Sequence, residues 1–360
     1  MKWQRLHPGG KALPTHGFTL VELLIAMGIL LLLASFLLVG MGGILGGAKK
    51  TATQTTLKKI SEILRQQQAE FNVAMSSTPP KRAQEPCLGL DADAGLRSLL
   101  ERKRLFREAF PQRAADLRDA NGNFTRMGVL VNAKLTEIYI AKNGSSPSTA
   151  QLDAARDVAL GSHGSSELLF LILTEGTAYG TSVLDSDQFS SREARDTDGD
   201  DLLELIDAWE QPLLFYRWPT RMIRPCDPDA PTVPLSTDPV RVNLPAVDTT
   251  YWKLLSSSNV DIGVLGRDGE DPLSSLYRLV GGSISGVQSV ESNANPTCNF
   301  HTPDTYAPLL VVSMGPDLAA GLYLPNDTAN FGHLAQPSVA PNVAADSALN
   351  DNITNLQGIE

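Results

Sequence analysis

The stretch from Phe18 to Ala48, FTLVELLIAMGILLLLASFLLVGMGGILGGA, runs for 31 residues with one formal charge, Glu22. A secretory signal core spans about 7–15 apolar residues, so this run is too long for one. It exceeds the roughly 20 residues that cross a bilayer. A single-pass membrane helix is therefore the simplest expectation. A carboxylate inside such a helix is expensive and marks function by default, with a cationic partner to be found for it. Basic residues do not orient the helix, because Lys2, Arg5 and Lys11 precede it while Lys49, Lys50, Lys58 and Lys59 follow.

Three details go beyond a plain anchor. A small residue, Gly17, stands between a basic, proline-containing leader and the apolar run. The run opens on an aromatic, Phe18, and Glu22 follows one helical turn later. Together Gly17-Phe18-Thr19-Leu20-Val21-Glu22 resemble the processing motif of type IV pilins and type II secretion pseudopilins. The resemblance implies a membrane-embedded prepilin peptidase that cuts after Gly17 on the cytoplasmic side and N-methylates Phe18. It also implies assembly with other pilin-like subunits on an inner-membrane platform. The chain would then be a single-pass protein of the inner membrane, in contact with lipid, its body in the periplasm or in an extracellular filament. On this reading Glu22 neutralises the new α-amine of Phe18, on its own or a neighbouring subunit, where each charge alone is costly.

The helix is expected to continue past the membrane. No proline occurs between Pro14 and Pro79, and TLKKISEILRQQQAEF is rich in helix formers. Leu57, Ile60, Leu64 and Phe71 recur on one face of a 3.6-residue period. The 54 residues from Phe18 to Phe71 span about 81 Å as a helix. Its first half would bury among neighbouring helices, and its second half would pack through the stripe onto the body. Gly40, Gly42, Gly43, Gly46 and Gly47 fit two readings, close helix packing or a segment that unwinds during assembly.

The domain expectation is a leader over 1–17, the long helix over 18–72, a globular part over 73–335 with an irregular insertion at 221–300, and a loosely packed tail over 336–360. SSTPPKRAQEP at 76–86 reads as the loop that ends the long helix. AGLRSLLERKRLFREAF at 94–110 reads as a basic surface helix, and SSELLFLILTEG at 165–176 as a buried helix closed by Gly176. LLELIDAWEQPLLFYRWP at 202–219 reads as a β-hairpin, and PLLVVSMGPD at 308–317 as a strand ending in a turn. The fold class is α+β: a long N-terminal helix, membrane-embedded in its first half, packed on a globular head with a small antiparallel sheet.

Two pieces of the body resemble the head of the major pseudopilin of type II secretion. DAWEQPLLFYRW is similar to its Asp-Pro-Trp-Gly-x-Pro-Tyr-x-Tyr turn, with Asp207, Trp209, Pro212 and Tyr216 in matching places. VVSMGPDLAAG is similar to its late serine, glycine and aspartate turn. Ala208 and Glu210 depart from it, standing where that family has proline and glycine, and the chain is more than twice the usual length.

The total charge of −10 hides an asymmetry: residues 1–17 carry three basic groups and no acid, so the rest is more acidic still. An acidic body excludes nucleic acid as a partner, since phosphate binding needs a basic stripe. Catalysis finds no support. His7 and His16 lie in the leader, and His163, His301 and His333 lack a spacing such as HExxH. GGSISG misses the nucleophile elbow, and no phosphate-binding glycine loop occurs. Cys87, Cys226 and Cys298 allow one bridge with a spare thiol, or three thiols.

One acidic stretch stands out. In DTDGDDLLELID, Asp196, Asp198, Asp200, Glu204 and Asp207 approach the spacing of a Ca²⁺ loop with ligands at positions 1, 3, 5, 9 and 12. Gly199, Asp201 and the terminal aspartate depart from that pattern. The stretch is either a solvated turn before a strand or a Ca²⁺ site. Major pseudopilins bind calcium nearer the C-terminus, which by resemblance adds Asp317, Asp327 and Asp351 as a second set. The leading function is a structural pilin-like subunit of a type II secretion pseudopilus or related filament. The alternative is a membrane-anchored ligand-binding or adhesive protein that uses the leader only for export and anchoring, and a tethered hydrolase comes third.

Overall fold

The computed structural model describes residues 19–77, 94–119, 122–176, 184–219, 309–327, 334–335 and 351–355. Gly17, Phe18, the three cysteines and the insertion at 221–300 lie outside the described residues. The chain divides into two compact units, Met1–Ala48 and Lys49–Glu360, the second called the head below. Helices and small antiparallel sheets together make it an α+β protein.

Helix α1, Leu20–Ser77, is one α-helix of 58 residues and ends where SSTPP begins. It continues through Gly46 and Gly47, where an added Cβ would meet nothing within 4 Å. Within the head its apolar stripe is buried: Leu57, Ile60, Leu64 and Phe71 are at most 2% exposed. Each such side chain contributes roughly 1.5–3 kcal/mol by leaving water. Polar residues extend the same face and bond across to the rest of the head. Gln67 Nε2 donates to Ile172 O at 3.0 Å, and Thr53 Oγ1 accepts from Ala208 N at 3.1 Å. The head therefore begins at Lys49, and the expected boundary at 72/73 falls inside its core.

Helix α2, Ala94–Ala109, forms where the sequence places it, but its basic run is not a solvated face. Lys103 and Arg107 are each 1% exposed. The correction has a packing cause. Phe106 packs on Phe71, Phe110 and Trp218, with centroids at 5.2, 4.7 and 5.9 Å, and this draws the helix into the core. Lys103 Nζ then lies 5.3 Å from the Trp218 ring, and Arg104 bonds Glu101 and Glu108 along the helix.

Two helices arise where the sequence analysis names no element. Helix α3, Arg126–Asn143, starts at Thr125, whose side chain accepts from Gly128 N. It stops at Gly144, whose φ of 70° suits a residue without a Cβ. Helix α4, Thr149–Ala159, opens with a Ser148–Gln151 capping box. Helix α5, Gly164–Glu175, is apolar around most of its surface and buried from Gly164 to Thr174. Its cap is the expected one, with Gly176 N–H donating to Ile172 O.

Strands β1 (Ala194–Arg195) and β2 (Glu204–Leu205) pair antiparallel. Strands β3 (Leu214–Tyr216), β4 (Leu310–Ser313) and β5 (Ile353–Thr354) form an antiparallel sheet in the order β3-β4-β5. The expected hairpin over 202–219 is present as a turn, closed by Asp207 N to Gln211 O and Leu213 N to Leu205 O, but its arms belong to different sheets. Alternation along β3 and β4 gives the sheet two faces. Phe215, Val311 and Ile353 join the core with α1 and α5, while Leu214, Tyr216, Leu310 and Val312 meet Ala320, Leu334 and Ala335. Strand β5 comes from the tail that the sequence reads as loosely packed, and Ile353 is 2% exposed.

Candidate functional site

The N-terminal segment starts at Thr19, which precedes the first turn of α1. Thr19 N and Thr19 Oγ1 both donate to Glu22 Oε2 at 2.9 Å, and Glu22 N donates back to Thr19 Oγ1 at 3.2 Å. This is a reciprocal capping box, which satisfies backbone donors that the helix leaves open. Thr-x-x-Glu is a sequence signature of a helix start, beside the charge that singles out Glu22. The bonds to Thr19 use Oε2, and no hydrogen bond of Oε1 is present among the described residues.

Beyond the cap the helix exposes apolar side chains on every side. From Leu20 at 79% to Leu33 at 55%, each leucine, isoleucine, valine and methionine is more than half exposed. Such a surface is far larger than a soluble monomer leaves open. Among the described residues no helix is long and apolar enough to cross a membrane.

The acidic stretch folds back against the start of α5. Asp196 organises it: Oδ1 accepts from Gly199 N at 2.7 Å and Oδ2 from Asp201 N at 3.0 Å. Gly199 at φ 85° and Asp201 at φ 76° supply the left-handed turns. The loop brings Asp198, Asp200 and Glu204 together, but not Asp207. Asp207 is buried in the turn after β2, where Oδ1 accepts from Trp209 N and Gln211 N and Oδ2 from Ser313 Oγ at 2.7 Å. That last bond joins the two segments that resemble the pseudopilin head, which lie 106 residues apart. Glu210, where that family has glycine, holds a φ of 67°.

Two further residues complete the acidic group. Asp198, Asp200 and Glu167 of α5 bring carboxylate oxygens within 4.8 Å of one another, as do Asp198, Glu204 and the ring nitrogen of His163. Glu167 and Glu204 are each 0% exposed. Among the described residues neither oxygen of Glu167 has a hydrogen-bond partner, nor does Glu204 Oε1, which lies 3.7 Å from His163 Nδ1. Burial, then the charges of Asp200, Glu204, Asp198 and Asp196, pushes Glu167 up to about 9. Burial likewise pushes Glu204 up to about 7. Spacing within one loop gives no sign of Glu167, but a lone acid in the apolar run SSELLFLIL is the same signal that singled out Glu22.

In the C-terminal set, Asp351 Oδ2 accepts from Asp317 N at 3.2 Å, and Asp317 Oδ1 accepts from Ala319 N. These two bonds close a turn, while Asp351 Oδ1 is buried without a hydrogen-bond partner among the described residues. Asp327 forms neither of these bonds.

Residues 14–38 match the family described as the prokaryotic N-terminal methylation motif. The match covers the Gly17–Phe18 junction, Glu22 and the first two thirds of the apolar run, and it is the leader signature of type IV pilins and pseudopilins. It implies anchoring through the N-terminal helix, processing by a prepilin peptidase and assembly with pilin-like subunits. No curated protein and no solved structure matches the chain.

Proposed function

We propose that the chain is a pilin-like structural subunit that polymerises through its N-terminal helix into a type II secretion pseudopilus or a related type IV-like filament. The observation that carries this reading is that the methylation motif at residues 14–38 overlaps a helix exposed on all sides from Leu20 to Leu33. A helix apolar all round must bury itself in lipid or against other helices, and a filament core of like helices offers the second without giving up the first. The head's role is then structural, presenting its surface along the filament, and no catalytic step is assigned to it. The anchored-binding alternative shares the processing step and parts from this reading only at assembly.

Processing is tested by N-terminal sequencing and intact mass of the protein isolated from its membrane. The expected mature terminus is N-methylated Phe18, and replacing Gly17 with a bulky residue such as leucine should leave Met1 in place. An intact Met1 in the wild type, or a terminus elsewhere, overturns the reading.

A further inference from the structure

We propose that Glu167, Asp198 and Asp200, with Glu204 beside them, form a binding site for one hard divalent cation of the calcium type in the head. This goes beyond the filament reading and does not depend on it.

An acidic loop alone is ordinary, and most such loops are solvated. The distinguishing observation is Glu167. It comes from a different element, lies wholly out of water, and directs a carboxylate without any hydrogen-bond partner to within 4.8 Å of Asp198 and Asp200. A buried carboxyl group ordinarily finds a donor, and orphaned ones call for an explanation. The charges acting on this one are those of Asp200, Glu204, Asp198 and Asp196. The nearby cation Lys142 is engaged by Asp201 at 2.8 Å and donates to the Asp200 carbonyl at 3.4 Å. Glu204 repeats the pattern, fully buried with Oε2 accepting from Thr197 N and Oε1 unbonded. Asp200 does so in part, with Oδ1 accepting from Leu202 N and Oδ2 unbonded.

One divalent cation resolves these features together. Hard cations take six to eight oxygens at about 2.3–2.6 Å, from mono- or bidentate carboxylates and water. Glu167, Asp198 and Asp200 supply an all-oxygen set, Glu204 Oε1 adjoins it through Asp198, and water can complete the shell. Placing Glu167 in the first turn of α5 puts it near the positive end of that helix, which limits repulsion before the ion arrives. Asp196 shapes the loop by accepting from the backbone N–H groups of Gly199 and Asp201. His163 offers a nitrogen on the far side of Asp198, which would suit Mn²⁺ or Zn²⁺ better than Ca²⁺.

The test is a thermal melt and a calorimetric titration of the full-length protein in detergent, stripped with chelator and then given Ca²⁺, Mg²⁺, Mn²⁺ or Zn²⁺ singly. The expected result is one Ca²⁺ per chain and a rise in Tm. Glu167→Gln, of the same shape and without charge, should melt in chelator at or above the wild-type temperature and lose the Ca²⁺-dependent rise. Asp351→Asn should keep it. No Ca²⁺ binding by the wild type, binding of Zn²⁺ or Mn²⁺ without Ca²⁺, or an undiminished response in Glu167→Gln overturns the proposal. So does a response lost in Asp351→Asn and kept in Glu167→Gln, which would place the ion at the C-terminal turn.

Discussion

Glu22→Ala subunits are expected to enter the membrane and lose their leader normally, yet to be excluded from filaments when expressed beside the wild-type chain. Cleavage after Gly17 creates a positive α-amine on Phe18, four residues before the Glu22 carboxylate, at the start of the apolar run. Glu22 Oε2 is committed to the cap on Thr19, while Oε1 has no such bond and is available to that amine. Alanine removes both functions, so a second variant is needed to separate them. Glutamine at position 22 keeps a capping side chain and removes only the charge. If pairing with the amine drives assembly, Glu22→Gln fails as Glu22→Ala does, read as the fraction of tagged subunit recovered in sheared filaments. Recovery of Glu22→Gln at wild-type levels would reduce Glu22 to a helix cap.

The largest effect expected in the head comes from Asp116→Asn. Asp116 is 1% exposed, and its Oδ2 accepts from Arg217 Nη1 at 2.7 Å, Gln112 N at 3.0 Å and Arg113 N at 3.3 Å. Arg217, also 1% exposed, donates in addition to Phe110 O and lies 4.4 Å from the Trp218 ring. Removing the carboxylate leaves a guanidinium buried without its counter-charge, a loss of about 3–5 kcal/mol. That is a large share of the roughly 5–15 kcal/mol that holds a domain together. The pair also sets a pH dependence. Burial alone would raise Asp116, but Arg217, Arg113 and Arg107 outweigh it and hold the group at about 2, below its ordinary 3.8. A depressed carboxylate stabilises the fold fully above its ordinary value, and this is lost as pH falls from about 4 through about 2. The amount at stake is about 2 kcal/mol. Thermal melts across that range should show the wild type converging on the variant. Parallel curves would contradict the assignment.

How far the sequence reached is clearest from particular elements. The stripe Leu57, Ile60, Leu64 and Phe71 was legible because helical periodicity is local, and each of its members is buried. The basic run of α2 was misread because charge in sequence says nothing of a distant acid or an aromatic platform. Trp218, whose ring lies 5.3 Å from Lys103 Nζ, and Asp116, whose charge is balanced in part by Arg107, both come from other segments. The sheet partly escaped notice for a similar reason. Strand β5 is two residues within a polar tail, and only its pairing with β4 makes it a strand. At the acidic loop, linear spacing sets Asp196 and Asp207 beside Asp198 and Asp200, whereas in the fold their oxygens accept from the loop backbone and, for Asp207, from Ser313, and spacing gives no sign of Glu167 on α5. Proximity across elements is what sequence spacing cannot encode.

The most direct test of the central claim is a photo-crosslinking amino acid at Ile25 in the exposed apolar part of α1, in cells that assemble the wild-type chain. Irradiation should yield adducts between copies of this chain or with other pilin-like subunits, and a second substitution, Glu22→Ala, should remove them. Adducts confined to lipid, with no subunit pair formed in any amount, would contradict polymerisation through the N-terminal helix and leave only an anchor.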